Sequence, residues 1–188
     1  MPTPHALSKI ALTALLCLGL LSAAAETPSS PGPLPTIAAL DVPRYMGTWF
    51  EIARYPNWFQ KKCTGHTKAD YSQQPDGTVQ VINRCQLAGG GMSEAIGTGR
   101  QVGPVTSPKL QVRFAPEWLS WLPFVWGDYW IIDLDDPYQL VAVSEPSRAY
   151  LWILSRTPQV DPKAYSALVE RLTRIGFDAS KLERTAQD

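Results

Sequence analysis

The sequence predicts a mainly β chain: an eight-stranded antiparallel up-and-down β-barrel with one C-terminal α-helix packed outside it. Three observations carry that expectation. From Leu40 to about Arg156, short stretches of alternating apolar and polar residues follow one another, separated by turn signals. Beyond Arg156 the apolar spacing changes from two to three and four residues, which is the period of a helix. A meander of eight antiparallel strands also leaves two unpaired edges, and closing the sheet on itself removes both.

The strands are placed by alternation and by turns. Thr48 to Tyr55 is the first, followed by an aromatic loop around residues 57–62. Thr64 to Ser72 and Thr78 to Leu87 flank Gln74-Pro75-Asp76-Gly77, whose proline and glycine suit a hairpin turn. Glu94 to Val102 and Lys109 to Ala115 form the next pair, and Gly127 to Leu134, Gln139 to Ser144 and Tyr150 to Arg156 complete the eight. Then Tyr165, Leu168, Val169, Leu172 and Ile175 fall on one helical face. Asp161 suits the N-cap, Pro162 the first turn and Gly176 the stop. Packing against the outside of the sheet accounts for that apolar stripe.

Ahead of the barrel, Ile10 to Leu21 is an apolar run preceded by Lys9 and followed by Ser22-Ala23-Ala24-Ala25. Too short to cross a bilayer comfortably and ending in an Ala-x-Ala site, it reads as a secretory signal peptide over residues 1–25. A retained anchor or a buried helix is the alternative. Residues 26–39, rich in Pro, Ser and Gly at their start, are expected to be a flexible lead-in, and residues 40–185 the folded domain. Cys17 raises a second possibility, acylation as in a bacterial lipoprotein, although bulky Leu16 precedes it where such signals carry a small residue. A soluble, exported, periplasmic protein is the expectation, with an outer-membrane lipoprotein through Cys17 behind it.

Without Cys17, Cys63 and Cys85 remain, an even pair in a chain bound for an oxidising compartment. One disulfide is expected, with two buried thiols as the alternative. The hairpin register does not set the two cysteines directly opposite each other, so a bridge requires a bulge. Net charge is zero and neither sign forms a run, so nothing points to nucleic acid or to an anionic membrane surface. Seven tryptophans suggest a large apolar interior or an apolar cavity.

Gly47-Thr48-Trp49 resembles the Gly-x-Trp signature of the lipocalins. Its extension from Arg44 to Arg54 is similar to the bacterial lipocalins and their relative apolipoprotein D, as is Tyr150-Leu151-Trp152-Ile153-Leu154-Ser155-Arg156-Thr157-Pro158. The resemblance covers about Leu40 to Glu183. It implies a lipocalin calyx with Gly47, Trp49 and Arg156 at a structural base, where the guanidinium stacks on the indole. One signature is degraded: Leu134-Asp135-Asp136-Pro137-Tyr138 stands where lipocalins often carry Thr-Asp-Tyr, which puts the usual closed-end hydrogen bonding in question.

With Trp49 and Arg156 inward, alternation sets Glu51 and Ala53 inward on the first strand, and Tyr150, Trp152 and Leu154 on the eighth. The family pattern adds Ala69 and Tyr71, Val79 and Val81, Val112 and Phe114, and Tyr129 and Ile131, with Gly97 and Gly99 leaving space. Ala69, Tyr71, Val81, Val112, Phe114, Tyr129, Ile131, Trp152 and Leu154 are the expected calyx contacts for a fatty acid, lysophospholipid or similar lipid, with the Tyr71 and Tyr129 hydroxyls as orienting groups. A barrel filled by its own side chains is the alternative. The aromatic segment Trp118 to Trp126 reads either as a lid or as a membrane contact.

No cofactor or metal is expected, and no catalysis. The chain lacks a Gly-x-Ser-x-Gly elbow, a Cys/His zinc cluster and a phosphate-cradling loop. A thiol-dependent lipid isomerase using Cys63 and His66 is the runner-up, but a disulfide would consume the nucleophile and His66 is expected on the solvent face. Asp133 and Glu51 are conceivable as an inward acidic pair, with no role assigned. An envelope stress protein with an incidental ligand is a third class.

Overall fold

A computed structural model describes Met1 and residues 32–188. The signal-peptide reading and Cys17 lie outside the described residues, Met1 apart. From Gly32 onward the described residues form one compact unit. Its strands are β1 (Gly47–Arg54), β2 (Cys63–Gln73), β3 (Val79–Leu87), β4 (Met92–Gln101), β5 (Lys109–Arg113), β6 (Gly127–Leu134), β7 (Leu140–Ser144), β8 (Leu151–Ser155) and a short β9 (Glu183–Arg184). The helices are α1 (Val42–Tyr45) and α2 (Pro162–Arg174).

Every neighbouring pair from β1 to β8 is antiparallel, and β1 bonds to both β2 and β8, so the sheet closes on itself. Closure splits the apolar residues into two groups, as period-two alternation requires. One fills the inside: Trp49, Ala69, Tyr71, Val79, Val81, Leu110, Ile131, Val141, Val143 and Leu154, joined by Leu40, Val42 and Tyr45 of the segment that crosses the lower end. The other lies outside, where Ile52, Ala142, Leu151 and Ile153 meet Leu168, Leu172 and Phe177.

The helix docks as its sequence dictates. Asp161 caps it by accepting a 2.8 Å bond from the Lys163 amide. Leu168 and Leu172 are sealed against the sheet, each burial stabilising by roughly 1.5–3 kcal/mol. Gly176, at φ +95°, turns the chain in the left-handed region and ends the helix.

Three expectations are corrected. Residues 34–39 are not a flexible lead-in: Leu34 is buried in the outer cluster, Ile37 packs on the inner one, and the Ile37 amide donates to the Ile131 carbonyl at 3.1 Å. Ala53 faces the outer cluster rather than the interior, because the register of β1 against β8 slips between Glu51 and Ala53 and one extra residue inverts the parity beyond it. The same device operates in β6 between Ile131 and Asp133. Asp133 therefore points to the helix, where Arg171 grips it with two bonds of 2.7 and 2.9 Å, and it forms no acidic pair with Glu51.

The sequence reading also missed β9. Glu183 and Arg184 pair with β1 where β1 has parted from β2, and the tail continues into the gap. There the His66 amide donates to the Ala186 carbonyl at 2.7 Å, while Gln187 Nε2 donates to the carbonyls of Glu51 and Thr67. Two residues of strand carry too little alternation to be read from sequence.

Candidate ligand-binding site

At the lower end Arg156 lies over the Trp49 ring, its guanidinium carbon 4.0 Å from the centroid. It donates to the carbonyls of Thr48 at 3.0 Å, Arg44 at 2.9 Å, Tyr45 at 3.1 Å and Tyr138 at 3.3 Å. Trp49 Nε1 donates to the Tyr45 carbonyl at 2.9 Å. A planar fork with five N–H donors suits such a cluster of carbonyls where an ammonium would not. Gly47 belongs to this base, since its φ of +96° and the 3.2 Å from an added Cβ to Arg156 Nη1 disfavour any other residue.

The degraded signature still supplies closed-end bonding. Asp135 Oδ1 accepts from the Gln139 and Leu140 amides at 2.6 and 2.9 Å, and the Tyr138 hydroxyl accepts from the Asp41 amide at 3.1 Å. Arg44 stacks on the Tyr138 ring at 4.1 Å, fastening α1 across this end.

Above Trp49 the floor is aromatic. Tyr45 packs 5.0 Å from Trp49 and 5.6 Å from Tyr71, centroid to centroid. The Tyr129 hydroxyl oxygen sits 2.8 Å from that of Tyr45 and 2.9 Å from that of Tyr71. Burial disfavours the phenolate, so it pushes Tyr71 up to about 12 and raises Tyr45 and Tyr129 well above the ordinary tyrosine range. Tyr45, on α1, was not among the calyx residues expected from sequence. No strand parity applies to it, so alternation gave no signal.

The walls rise from that floor. Ala69, Tyr71, Val81, Ile131 and Leu154 are buried in the inner cluster, with Val112, Tyr129 and Trp152 partly exposed above them. Phe114 is the most open of the expected residues, 44% exposed, with its ring over the space beside Gly97. An added Cβ on Gly97 would meet that ring at 2.7 Å, so the glycine makes room for Phe114. The base is thus filled by side chains, while accessible surface begins at Tyr129 and Trp152. Val141, Val143 and Leu110 complete the inner wall and were also missed: nothing fixed the parity of β7, whereas Leu110 follows by twos from Val112.

One side of the upper calyx is polar. Glu51, 3% exposed, accepts from Arg54, Gln60 and Thr185, and Gln60 Oε1 accepts from Trp152 Nε1 at 3.0 Å. Phe59 from the same loop packs against Tyr150 and Trp152, with centroids 5.6 and 6.2 Å away. Cys63 and Cys85 are joined, their Cα atoms 5.5 Å apart. The register of β2 against β3 slips twice between Cys63 and Lys68, with His66 at φ +48°, which supplies the bulge that the bridge requires.

The β1–β2 and β5–β6 loops leave the barrel at the end opposite Trp49 and Arg156. Trp118, Trp121 and Phe124 are 74–80% exposed and so are not folded down as a lid, and Trp58 on the neighbouring loop is 72% exposed. Trp58 meets Phe59 edge-on with centroids 5.5 Å apart, and Trp126 packs beneath Arg100 at 4.0 Å. Among the described residues no group of His, Cys, Asp and Glu side chains is arranged to hold a metal.

Residues 40–187 match the model of the Lipocalin-like domain family. The chain is 41% identical over 156 residues to temperature-induced lipocalin-1 of Arabidopsis thaliana, covering 82% of this chain and 83% of that one. It is 36% identical over 171 residues to the outer membrane lipoprotein Blc of Escherichia coli, covering 90% and 92%. Mouse apolipoprotein D is 31% identical over 160 residues, covering 81% and 80%. Among solved structures, insecticyanin from the tobacco hornworm Manduca sexta superposes with a TM-score of 0.62 at 17% identity, covering 81% of this chain and 83% of that one. Lobster apocrustacyanin A1 does so with 0.60 at 15%, covering 83% and 91%. At such identities these two bear on the fold alone.

Proposed function

The chain belongs to the lipocalin-like family, and on that premise we propose that it carries or stores a small hydrophobic ligand, a fatty acid or lysophospholipid, in the upper half of its barrel. The observation that carries this reading is the partly exposed wall of Val112, Phe114, Tyr129 and Trp152 above a sealed aromatic floor. A closed sheet of this size has room for one such molecule. Each buried methylene contributes about 0.8 kcal/mol, so a dozen carbons supply roughly 9 kcal/mol before ordering costs, against about 8.2 kcal/mol net for micromolar binding, and polar contacts add to it.

The setting proposed is the bacterial cell envelope, with export through the N-terminal segment and a soluble periplasmic form. Two features support an envelope role, the signal-like run from Ile10 to Leu21 and the likeness to the outer membrane lipoproteins. Exposed Trp118, Trp121 and Phe124 favour contact with a membrane surface over a lid, because each presents a large apolar ring to solvent near the mouth. The reading is a binding protein rather than an enzyme. The isomerase alternative has no free thiol among the described residues while Cys63 and Cys85 are bonded.

Tryptophan fluorescence titration with dodecanoic acid tests the proposal, together with native mass spectrometry of protein made in its own host. Saturable micromolar binding and a co-purified lipid are expected. Absence of both would overturn it, and a mixture of unrelated small molecules would favour an envelope protein with an incidental ligand. Sedimentation with phosphatidylcholine vesicles tests the rim. The Trp118→Ala/Trp121→Ala/Phe124→Ala variant is expected to stay in the supernatant where the parent chain pellets, and a parent chain that never pellets would end the membrane contact.

A further inference from the structure

The three floor tyrosines contain one more donor than they can use among themselves. Tyr45, Tyr71 and Tyr129 bring three hydroxyl protons to two hydrogen bonds, and no other partner for these oxygens lies among the described residues. One O–H is therefore left over inside the barrel. Burying a hydroxyl proton without an acceptor costs about 1–3 kcal/mol, so the arrangement is poised for an oxygen to arrive.

Position decides which proton is spare. Tyr45 and Tyr71 are 1% and 8% exposed and their hydroxyls reach only that of Tyr129, whereas Tyr129, on the inner face of β6, keeps partial exposure. The arrangement that leaves no sealed donor unused has Tyr45 and Tyr71 both donating to Tyr129, filling its two lone pairs. The Tyr129 proton then points into the calyx, strengthened by the two bonds its oxygen accepts.

We propose that Tyr129 is the anchor of a polar subsite at the calyx floor, and that the ligand enters oxygen first, presenting a carbonyl or carboxylate acceptor to the Tyr129 hydroxyl with its apolar chain running up towards Trp152 and Phe114. This deepens the carrier reading and rests on it. The base favours such an acceptor on a second count. Arg156, stacked on Trp49 beneath the floor, binds only backbone carbonyls and has no carboxylate within ion-pair distance among the described residues, so its positive charge is not offset locally. A ligand led by an ammonium or by a bare hydrocarbon end satisfies neither the spare proton nor the charge.

Three probes of equal chain length test this: dodecanoic acid, its methyl ester, and dodecane delivered from cyclodextrin. Each is titrated against the parent chain and Tyr129→Phe, so that differences in water solubility cancel within each probe. Tyr129→Phe is expected to weaken the acid and the ester by about tenfold, the worth of one good hydrogen bond, and to leave dodecane within about twofold. Isotope-edited infrared spectra of carbonyl-labelled methyl ester give a direct readout. The bound carbonyl stretch is expected at a lower frequency in the parent chain than in Tyr129→Phe. Tyr71→Phe, which leaves the Tyr129 proton in place, is expected to keep that shift and so guards against misreading a folding defect.

If all three probes bind and lose affinity equally in Tyr129→Phe, or the carbonyl stretch is the same in both proteins, the spare proton is held by water and the subsite is overturned while the carrier survives. If none of the three binds the parent chain, the carrier reading itself falls.

Discussion

Gln60 Nε2 donates to the Glu51 carboxylate at 2.7 Å, and this bond ties the long β1–β2 loop to a buried charge in the barrel wall. The other carboxylate oxygen accepts from Arg54 Nη1 and Thr185 Oγ1, each at 2.6 Å. Gln60 passes the connection on, its Oε1 accepting from Asn57 and from the Trp152 indole. A single buried charge thus gathers the loop, the C-terminal tail and β8. Removing it strands the Arg54 guanidinium, which is 13% exposed and makes no other ion pair among the described residues. Breaking a buried pair in this way is strongly destabilising.

Glu51→Ala is accordingly expected to lose about 3 kcal/mol in urea unfolding and to open residues 56–62 to proteolysis, while Glu51→Gln loses less because it keeps part of the hydrogen bonding. A loss below about 1 kcal/mol for Glu51→Ala would mean that the loop is held by Phe59 packing instead.

At the opposite end Gly47 carries two separate constraints, and a pair of alanine variants separates them. Its φ of +96° strains any L-residue, and an added Cβ would come within 3.2 Å of Arg156 Nη1. Gly90, at φ +81°, has the first constraint alone, since a Cβ there meets nothing within 4 Å. Gly90→Ala is expected to cost about 1 kcal/mol, the strain by itself. Gly47→Ala is expected to cost about 2–3 kcal/mol, because the guanidinium must also give way from four carbonyls. Equal losses in thermal or urea unfolding would show that Arg156 moves aside freely.

Much of this was legible in the sequence because the barrel is governed by parity. Once Trp49 and Arg156 are fixed inward, every second residue on an unbroken strand follows, and Trp152 and Leu154 lie where alternation puts them. Parity fails at a bulge, which is why Ala53 and Asp133 were assigned to the wrong face. It says nothing of residues outside strands, and Tyr45 was missed for that reason although it supplies a third of the hydroxyl cluster. Gln60 likewise sits on a loop whose path depends on contacts with Glu51 and Trp152, distant in sequence or across the wall. Residues 34–39 looked flexible from the Pro/Ser/Gly content just before them, yet Leu34 and Ile37 supply enough apolar surface to hold that stretch on the barrel.

The floor tyrosines also make the fold sensitive to alkali, and the sign follows from which state keeps its protons. In the unfolded chain a tyrosine ionises near pH 10, whereas burial holds Tyr71 protonated to about 12 and raises Tyr45 and Tyr129 as well. Between those limits the folded protein binds more protons than the unfolded one, so stability falls as pH rises. The contribution is complete below about pH 10 and is lost as pH climbs through the folded values, at up to about 1.4 kcal/mol per pH unit for each hydroxyl. Of the seven tyrosines, at least these three should therefore give no tyrosinate absorbance until the near-ultraviolet circular dichroism of the fold disappears. In the Tyr45→Phe/Tyr71→Phe/Tyr129→Phe variant the late absorbance step should shrink, and the alkaline slope of urea stability should flatten. Ionisation of all seven in one reversible step with the dichroism intact would show instead that burial does not hold the floor hydroxyls protonated.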